Sequence, residues 1–335
     1  MRLYNELSHR EIEIDYDTPY CNRGKLDTGT HCNYRCGFCY YYNQLDQKTP
    51  FEEVKKRIDH MVECGITEAD LSGGESSIHA DWFNILDYCK EKGLKVSCLS
   101  NGSMFCRYEF LEKSKQHGLD EILFSLHGFD EESHNKLVGV KAGFRKITQS
   151  IVFANQLGIK VRLNCTVTKD NYKELDNKFV DLVHQFDVAQ VNFLTLNYWD
   201  DADAQDAFPY KEATESIKRA IDKLEVPDKR VRYTPFCYLK GYEKHLFGYY
   251  QHIYDLSDWN IATYGHTIDP KEYVGNELKH LYLAAERQRN ATYKKNKECL
   301  DCKHYYICDG YEKKHGELEV FPEPGEKIKR VTHYL

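Results

Sequence analysis

LKVSCLSNGSMFCRYEFLEKSKQHGLDEILFSLHG, residues 94–128, is the stretch that decides the fold. It opens with LKVSCLSNG, an apolar run that reads as a buried strand and stops at Asn101-Gly102. RYEFLEKSKQHG (107–118) follows with helical character. EILFSLHG (121–128) is a second strand, and it stops at His127-Gly128. A strand, a helix and a strand in succession predict a right-handed βαβ unit and parallel pairing.

The same alternation extends both ways. Upstream, KLDTGT (25–30) is strand-like. FEEVKKRIDHMVECG (51–65) sets Val54, Ile58 and Met61 on one helical side. ITEADLSG (66–73) reads as a strand and DWFNILDYCKEKG (81–93) as a helix, with Asp81 as N-cap and Gly93 as the stop. Downstream, GFRKITQSIVFANQLG (143–158) is a helix and IKVRLNCTVT (159–168) a strand. NYKELDNKFVDLVHQF (171–186) reads as a helix capped by Asn171, and AQVNFLTLN (189–197) as a strand. Six strands and five helices give an α/β chain, either an open doubly wound sheet or a partial (β/α)6 TIM-type barrel. In both, the strand C-termini form the active edge.

The pattern changes after residue 198. DDADAQDAFPY is an acidic linker, KEATESIKRAIDKL a helix and KRVRYTPF strand-like, ending at Cys237. Residues 238–298 are rich in Tyr, His and Gly and have poor periodicity. The expected division is an extension over 1–24, a core over 25–200 and a C-terminal region over 201–335.

Of the 335 residues, 41% are hydrophobic and 30% charged, a globular composition. There is no apolar run of membrane-spanning length and no secretory pattern at the N-terminus, so cytoplasm is the expected compartment. The net charge is −7 and basic residues form no stripe, which argues against nucleic acid as a partner.

Thirteen cysteines in such a chain read as metal ligands, reactive thiols or core residues. Cys64, Cys89, Cys98, Cys106 and Cys165 lie in apolar periodic segments and are expected in the core. Two clusters do not fit that pattern. They are Cys32-x3-Cys36-x2-Cys39 and Cys299-x2-Cys302-x5-Cys308. Three cysteines on one short loop leave a corner of a four-iron cube without a protein ligand, which is a catalytic arrangement. The competing reading is a zinc-bearing binding module, with His31 as an awkward fourth ligand.

CNYRCGFCY (32–40), including Phe38, resembles the signature of radical S-adenosylmethionine (SAM) enzymes. The resemblance implies a [4Fe–4S] cluster on Cys32, Cys36 and Cys39, with SAM chelating the open iron. It also implies reductive cleavage of SAM to a 5′-deoxyadenosyl radical that takes hydrogen from a substrate, and an electron donor such as flavodoxin or ferredoxin. LSGGESSIH (71–79) resembles the family's Gly-Gly-Glu motif, so Gly73, Gly74 and Glu75 would receive the SAM amino group. The family often has proline after this glutamate, where this chain has Ser76. By the same resemblance Ser100 and Asn101, then Ser125 and His127, stand where relatives carry SAM contacts. Either Arg162 or Asn164, which share a strand face, would meet the SAM carboxylate or ribose.

The second cluster resembles part of the SPASM/Twitch extension, which binds auxiliary iron–sulfur clusters. No cysteine follows Cys308, so the supply limits this region to one. Cys237 is either its fourth ligand or a buried thiol, and zinc on Cys299, Cys302 and Cys308 with His304 or Cys237 is the alternative. Cys21 reads as non-ligating. Only about 25 residues precede the barrel, too few for the leader-binding domain of many peptide-modifying relatives. The expected substrate is therefore a small molecule (a sugar, nucleotide-linked or amino-acid derivative), with peptide or protein maturation as the alternative. Tyr198 and Asp200, just past the sixth strand, are candidates to touch it.

Overall fold

The structure is a computed structural model and describes residues 2–5, 10–13, 23–39, 41–63, 65–196, 208–247, 261–263, 293–329 and 333–334. Its centre is a parallel sheet. In chain order the strands are β1 (Arg23–Asp27), β2 (Glu68–Ser72), β3 (Lys95–Ser100), β4 (Leu119–Ser125), β5 (Lys160–Val167), β6 (Gln190–Thr195), β7 (Asp228–Arg232), β8 (Leu246–Phe247) and β9 (Ile261–Thr263). The spatial order is β8-β7-β6-β5-β4-β3-β2-β1-β9, so consecutive strands are neighbours from β1 to β8 and the last returns to the first edge. Every pairing in this sheet is parallel.

The helices are α1 (Phe51–Glu63), α2 (Trp82–Glu91), α3 (Tyr108–Gln116), α4 (Glu131–Val138), α5 (Gly143–Gln156), α6 (Val180–Val183) and α7 (Tyr210–Lys223). Alternate strand residues face them. Leu26, Leu71, Cys98, Phe124, Leu163 and Val191 join Val54, Ile85, Ile147 and Ile151 in one apolar layer. Cys89, Cys98 and Cys165 are core residues as expected, while Cys106 is half-buried. Cys21 and Cys64 lie outside the described residues.

The other face is polar and concave. Arg23 of β1 reaches Glu121 of β4 at 2.9 Å, and Arg162 of β5 reaches the same carboxylate at 2.5 Å. β1 and β4 are three strands apart, about 14 Å on a flat sheet, so the sheet must curl for these side chains to meet. The curl is that of a half-barrel with helices outside, in agreement with the expected partial TIM-type fold. Arg23 also pairs with Glu68 and Lys160 with Glu121, closing the end of the half-barrel at the strand N-termini. Burial alone would raise the Glu121 carboxyl, but Arg162 and Arg23 outweigh it and hold it down to about 2.

Several expectations change. Among the described residues the sheet has nine strands, and it continues past residue 200 through β7, β8 and β9. α4 was not anticipated. Asp130 and Ser133 start it with a capping box and Gly139 stops it in the left-handed region. The helix expected over 171–186 is irregular, with a 3-10 turn, a π turn over Leu175–Phe179 and only four α-helical residues. Asn171 does not cap it. The Asn171 side chain accepts from Thr168 N and donates to the carbonyls of His127 and Thr166. Asp81 precedes α2 without a side-chain cap bond and accepts from Asn84 instead.

Candidate functional site

The loop carrying Cys32, Cys36 and Cys39 crosses the C-terminal edge of β1 to β4, and three contacts fix it. At the β2 turn, Gly74 N donates to Gly29 O and Glu75 N to His31 O, both at 2.9 Å. The approach is so close that a Cβ on Gly73 would lie 2.1 Å from Gly29 O, and one on Gly74 would lie 2.2 Å from His31 O. Glycine is therefore required there by backbone contact. At the β3 turn, Asn101 Nδ2 donates to Asn33 Oδ1 at 2.9 Å, and Asn33 Nδ2 donates to Ser103. At the end of α4, the carbonyls of Val138 and Leu137 accept from Arg35 N and Gly37 N.

Glu75 is buried and held at both carboxylate oxygens. Its carboxylate accepts from Ser100 Oγ at 2.9 Å, from Asn101 N at 2.6 Å and from Ser77. Burial raises its pKa, and these donors oppose the rise. The carboxylate thus ties the β2 turn to the β3 turn beneath the cysteine loop.

The three thiols are half-buried. Cys32 Sγ accepts from Tyr34 N at 3.4 Å, with Asn101 Nδ2 at 3.9 Å. Burial pushes the Cys32 thiol up to about 11 and raises Cys36 and Cys39 as well, so a bound cation must displace their protons. The donor set, with three sulfurs on one loop and N–H groups turned to Cys32, fits an iron–sulfur cluster with one iron left for another ligand.

Phe38 packs edge-on against His127, with ring centroids 4.7 Å apart. His127 Nδ1 accepts from Thr166 N at 3.0 Å, and burial holds its pKa well below the usual value, so it is a neutral prop for the loop. Ser125 and Asn164 are register partners on the concave face, in the row of the β3 turn. Arg162 stands one row lower, where Glu121 engages it. It is part of the ionic closure and is not presented at the cysteine edge. Tyr198 and Asp200 lie outside the described residues. Asn192, a polar residue inside the apolar run QVNFLT that the sequence reading does not single out, stands in register with Asn164.

The C-terminal cysteines come together around a second recess. Cys237, Cys299, Cys302 and Cys308 line one recess with Phe236, Lys295 and Tyr311. Cys302 Sγ accepts from Glu323 N at 3.4 Å and Cys308 Sγ from Gly310 N at 3.3 Å. Burial raises the Cys237 and Cys299 thiols, against the lowering effect of the Phe321 and Asn296 backbone. His304 Nδ1 lies 3.9 Å from Cys302 Sγ, and its Nε2 is engaged by Tyr334 OH at 2.7 Å. Among the described residues no group of His, Cys, Asp or Glu converges on one point as a single-ion site would. No described helix is long and apolar enough to cross a membrane.

Comparison with known proteins bears on the family of the chain. The radical SAM superfamily model matches residues 26–182. The chain is 30% identical over 223 residues to a probable GTP 3′,8-cyclase of Sulfurisphaera tokodaii, covering 64% of this chain and 69% of that one. It is 29% identical over 170 residues to Fe-coproporphyrin III synthase of Methanosarcina barkeri, covering half of this chain but only 42% of the relative. SuiB of Streptococcus suis bound to S-adenosylmethionine shares the fold, with a TM-score of 0.59 at 19% identity over 87% of this chain and 73% of SuiB. The thiol loop on the strand edge, the family match and the relative covered over two thirds of its length place this chain in the radical SAM superfamily, whose cofactors are a [4Fe–4S] cluster and S-adenosylmethionine.

Proposed function

We propose that the chain is an enzyme that cleaves SAM reductively and abstracts a hydrogen atom from a small-molecule substrate lodged in the half-barrel. The observation that carries this reading is the loop of three thiols, pinned to the β2 and β3 turns at the mouth of a polar concave face. Cys32, Cys36 and Cys39 would hold the cluster. When bound, cluster and SAM together supply a 5′-deoxyadenosyl radical.

The protein's part is placement. The Gly73-Gly74-Glu75 turn puts a buried carboxylate beneath the site for the SAM amino group. Ser100 and the Asn101 backbone hold that carboxylate in one orientation. Asn101 and Ser125 lie next along the row and would meet the rest of SAM. Phe38 and His127 brace the loop from the β4 side.

Cys237, Cys299, Cys302 and Cys308 would hold a second [4Fe–4S] cluster with every iron ligated by protein. Support comes from four thiols around one recess and backbone N–H groups on their sulfurs. Zinc on the same four thiols is the alternative, and iron and zinc analysis of the anaerobically purified protein would separate the two.

Anaerobic reconstitution should give about eight irons per chain, as two cubane sites require, and 5′-deoxyadenosine on reduction with SAM. Changing Cys32, Cys36 and Cys39 together to Ala should abolish cleavage. SAM cleavage that persists in that variant would refute the reading.

A further inference from the structure

A row of polar side chains crosses the concave face level with the cysteine loop. Ser125 of β4 is in register with Asn164 of β5, Asn164 with Asn192 of β6, and Asn192 with Arg230 of β7. Asn101, the first residue past β3, continues the row, with its Nδ2 3.9 Å from Cys32 Sγ. The row therefore leads from the thiols into the half-barrel.

Two of its members have hydrogen-bonding capacity left over. Asn192 is 5% exposed. Its Nδ2 donates to Asn164 Oδ1 at 2.7 Å, while its own Oδ1 is buried without a hydrogen-bond partner. Buried acceptors of this kind are costly, and native proteins keep few of them. Asn164 offers the complement, because its Oδ1 is taken by Asn192 and its Nδ2 has no hydrogen bond among the described residues. The pair thus presents one acceptor and one donor. Exchanging O and N in both amides exchanges the strands but leaves the same two functions.

The two arginines that flank the pair are already engaged. Arg230 pairs with Asp228 at 2.7 Å and lies over the Phe247 ring, and Arg162 pairs with Glu121. An anionic group would face a bare carbonyl with no donor of its own to offer. A neutral group that carries both N–H and C=O matches the pair.

We propose that Asn164 and Asn192 recognise an amide or lactam of the substrate, with one asparagine accepting its N–H and the other donating to its C=O. This rests on the reading of the half-barrel as the substrate chamber. Two sources carry such a group: the lactam edge of a purine base, and the side-chain amide of glutamine or asparagine in a peptide.

The test is calorimetric titration of the anaerobically prepared chain with three probes. They are guanosine, butyramide as a glutamine side-chain probe, and butyrate, its carboxylate counterpart without any amide. Wild type should bind guanosine or the glutamine probe, and which one binds identifies the source. The carboxylate probe should bind at least ~10-fold more weakly, and Asn192→Leu should weaken amide binding ~10–100-fold and erase the preference, the loss of one buried hydrogen bond. Asn192→Ser gives the same reading if the leucine variant does not fold. The proposal is overturned if neither amide binds, if the carboxylate binds as tightly, or if the variant is indistinguishable from wild type. It is also overturned if the variant loses SAM binding while probe binding stays intact. SAM cleavage by the same wild-type preparation is scored separately. Cleavage without amide binding overturns this proposal alone, and absence of cleavage overturns the enzymatic reading alone.

Discussion

Cys32, Cys36 and Cys39 come from one short loop laid over a strand edge, whereas Cys237 joins Cys299, Cys302 and Cys308 from a distant part of the chain to ring a recess. The first loop gets its rigidity from outside, through the β2 turn, the β3 turn and the end of α4. The second surrounds its thiols with its own neighbours, as Glu323 N and Gly310 N donate to sulfur from close in sequence or across the recess. Three thiols on one loop would leave a corner of a four-iron cube for a further ligand, and four thiols around one recess would not. On the proposed reading, the chemistry belongs to the first site, and the second would store electrons or support the structure.

The largest effect that can break this contrast comes from the glycine contact. Gly74→Val should displace the loop, since even a Cβ would sit 2.2 Å from His31 O. Iron at the first site and SAM cleavage should both be lost, with the second site's iron retained, as iron analysis and product assay would show. If iron at both sites falls together, the two sites are not independent. Cys237→Ala should remove about half of the iron and leave SAM binding by the first site measurable by titration. Retention of all the iron would return Cys237 to the status of a buried thiol.

A smaller effect separates the ionic closure from the active edge. Arg162→Leu strands the Glu121 carboxylate opposite fewer cations and should cost about 3–5 kcal/mol in denaturant unfolding, with an unchanged Kd for SAM in whatever fraction folds. A large rise in that Kd would put Arg162 back among the SAM contacts.

The smallest effect is with pH. His134 is buried and its pKa is lowered to about 4 by burial, while the unfolded side chain titrates near 6.5. The stabilisation is whole above pH 6.5 and fades as pH falls towards 4, by about 3 kcal/mol. His134 Nδ1 accepts from His127 N and Gly128 N, so the loss falls on the seat of Phe38 and the first loop. Unfolding midpoints from pH 7 to pH 4 should fall accordingly, and a flat profile would contradict it.

Much of this was legible in the chain, for physical reasons that can be named. The central strands are buried on their helix-facing side, so LKVSCLSNG and IKVRLNCTVT betray themselves as apolar runs ending in turns. β8 and β9 are two and three residues long, too short to carry a periodicity. The thiol triads were legible because spacing along a loop survives folding. The engagement of Glu75 and the commitment of Arg162 were not, because both depend on which residue of a neighbouring strand stands alongside. Asn192 was missed for the same reason: only the register that sets it beside Asn164 reveals the uncompensated carbonyl.

The central claim, one open site and one closed site, is tested most directly by electron paramagnetic resonance of the reduced chain with and without SAM. Two cluster signals are expected, of which one changes on adding SAM and vanishes in the Cys32, Cys36 and Cys39 to Ala variant, while the other is indifferent to SAM and survives. Two signals that both respond to SAM, or a SAM-sensitive signal that outlives the loss of those three cysteines, would contradict the account.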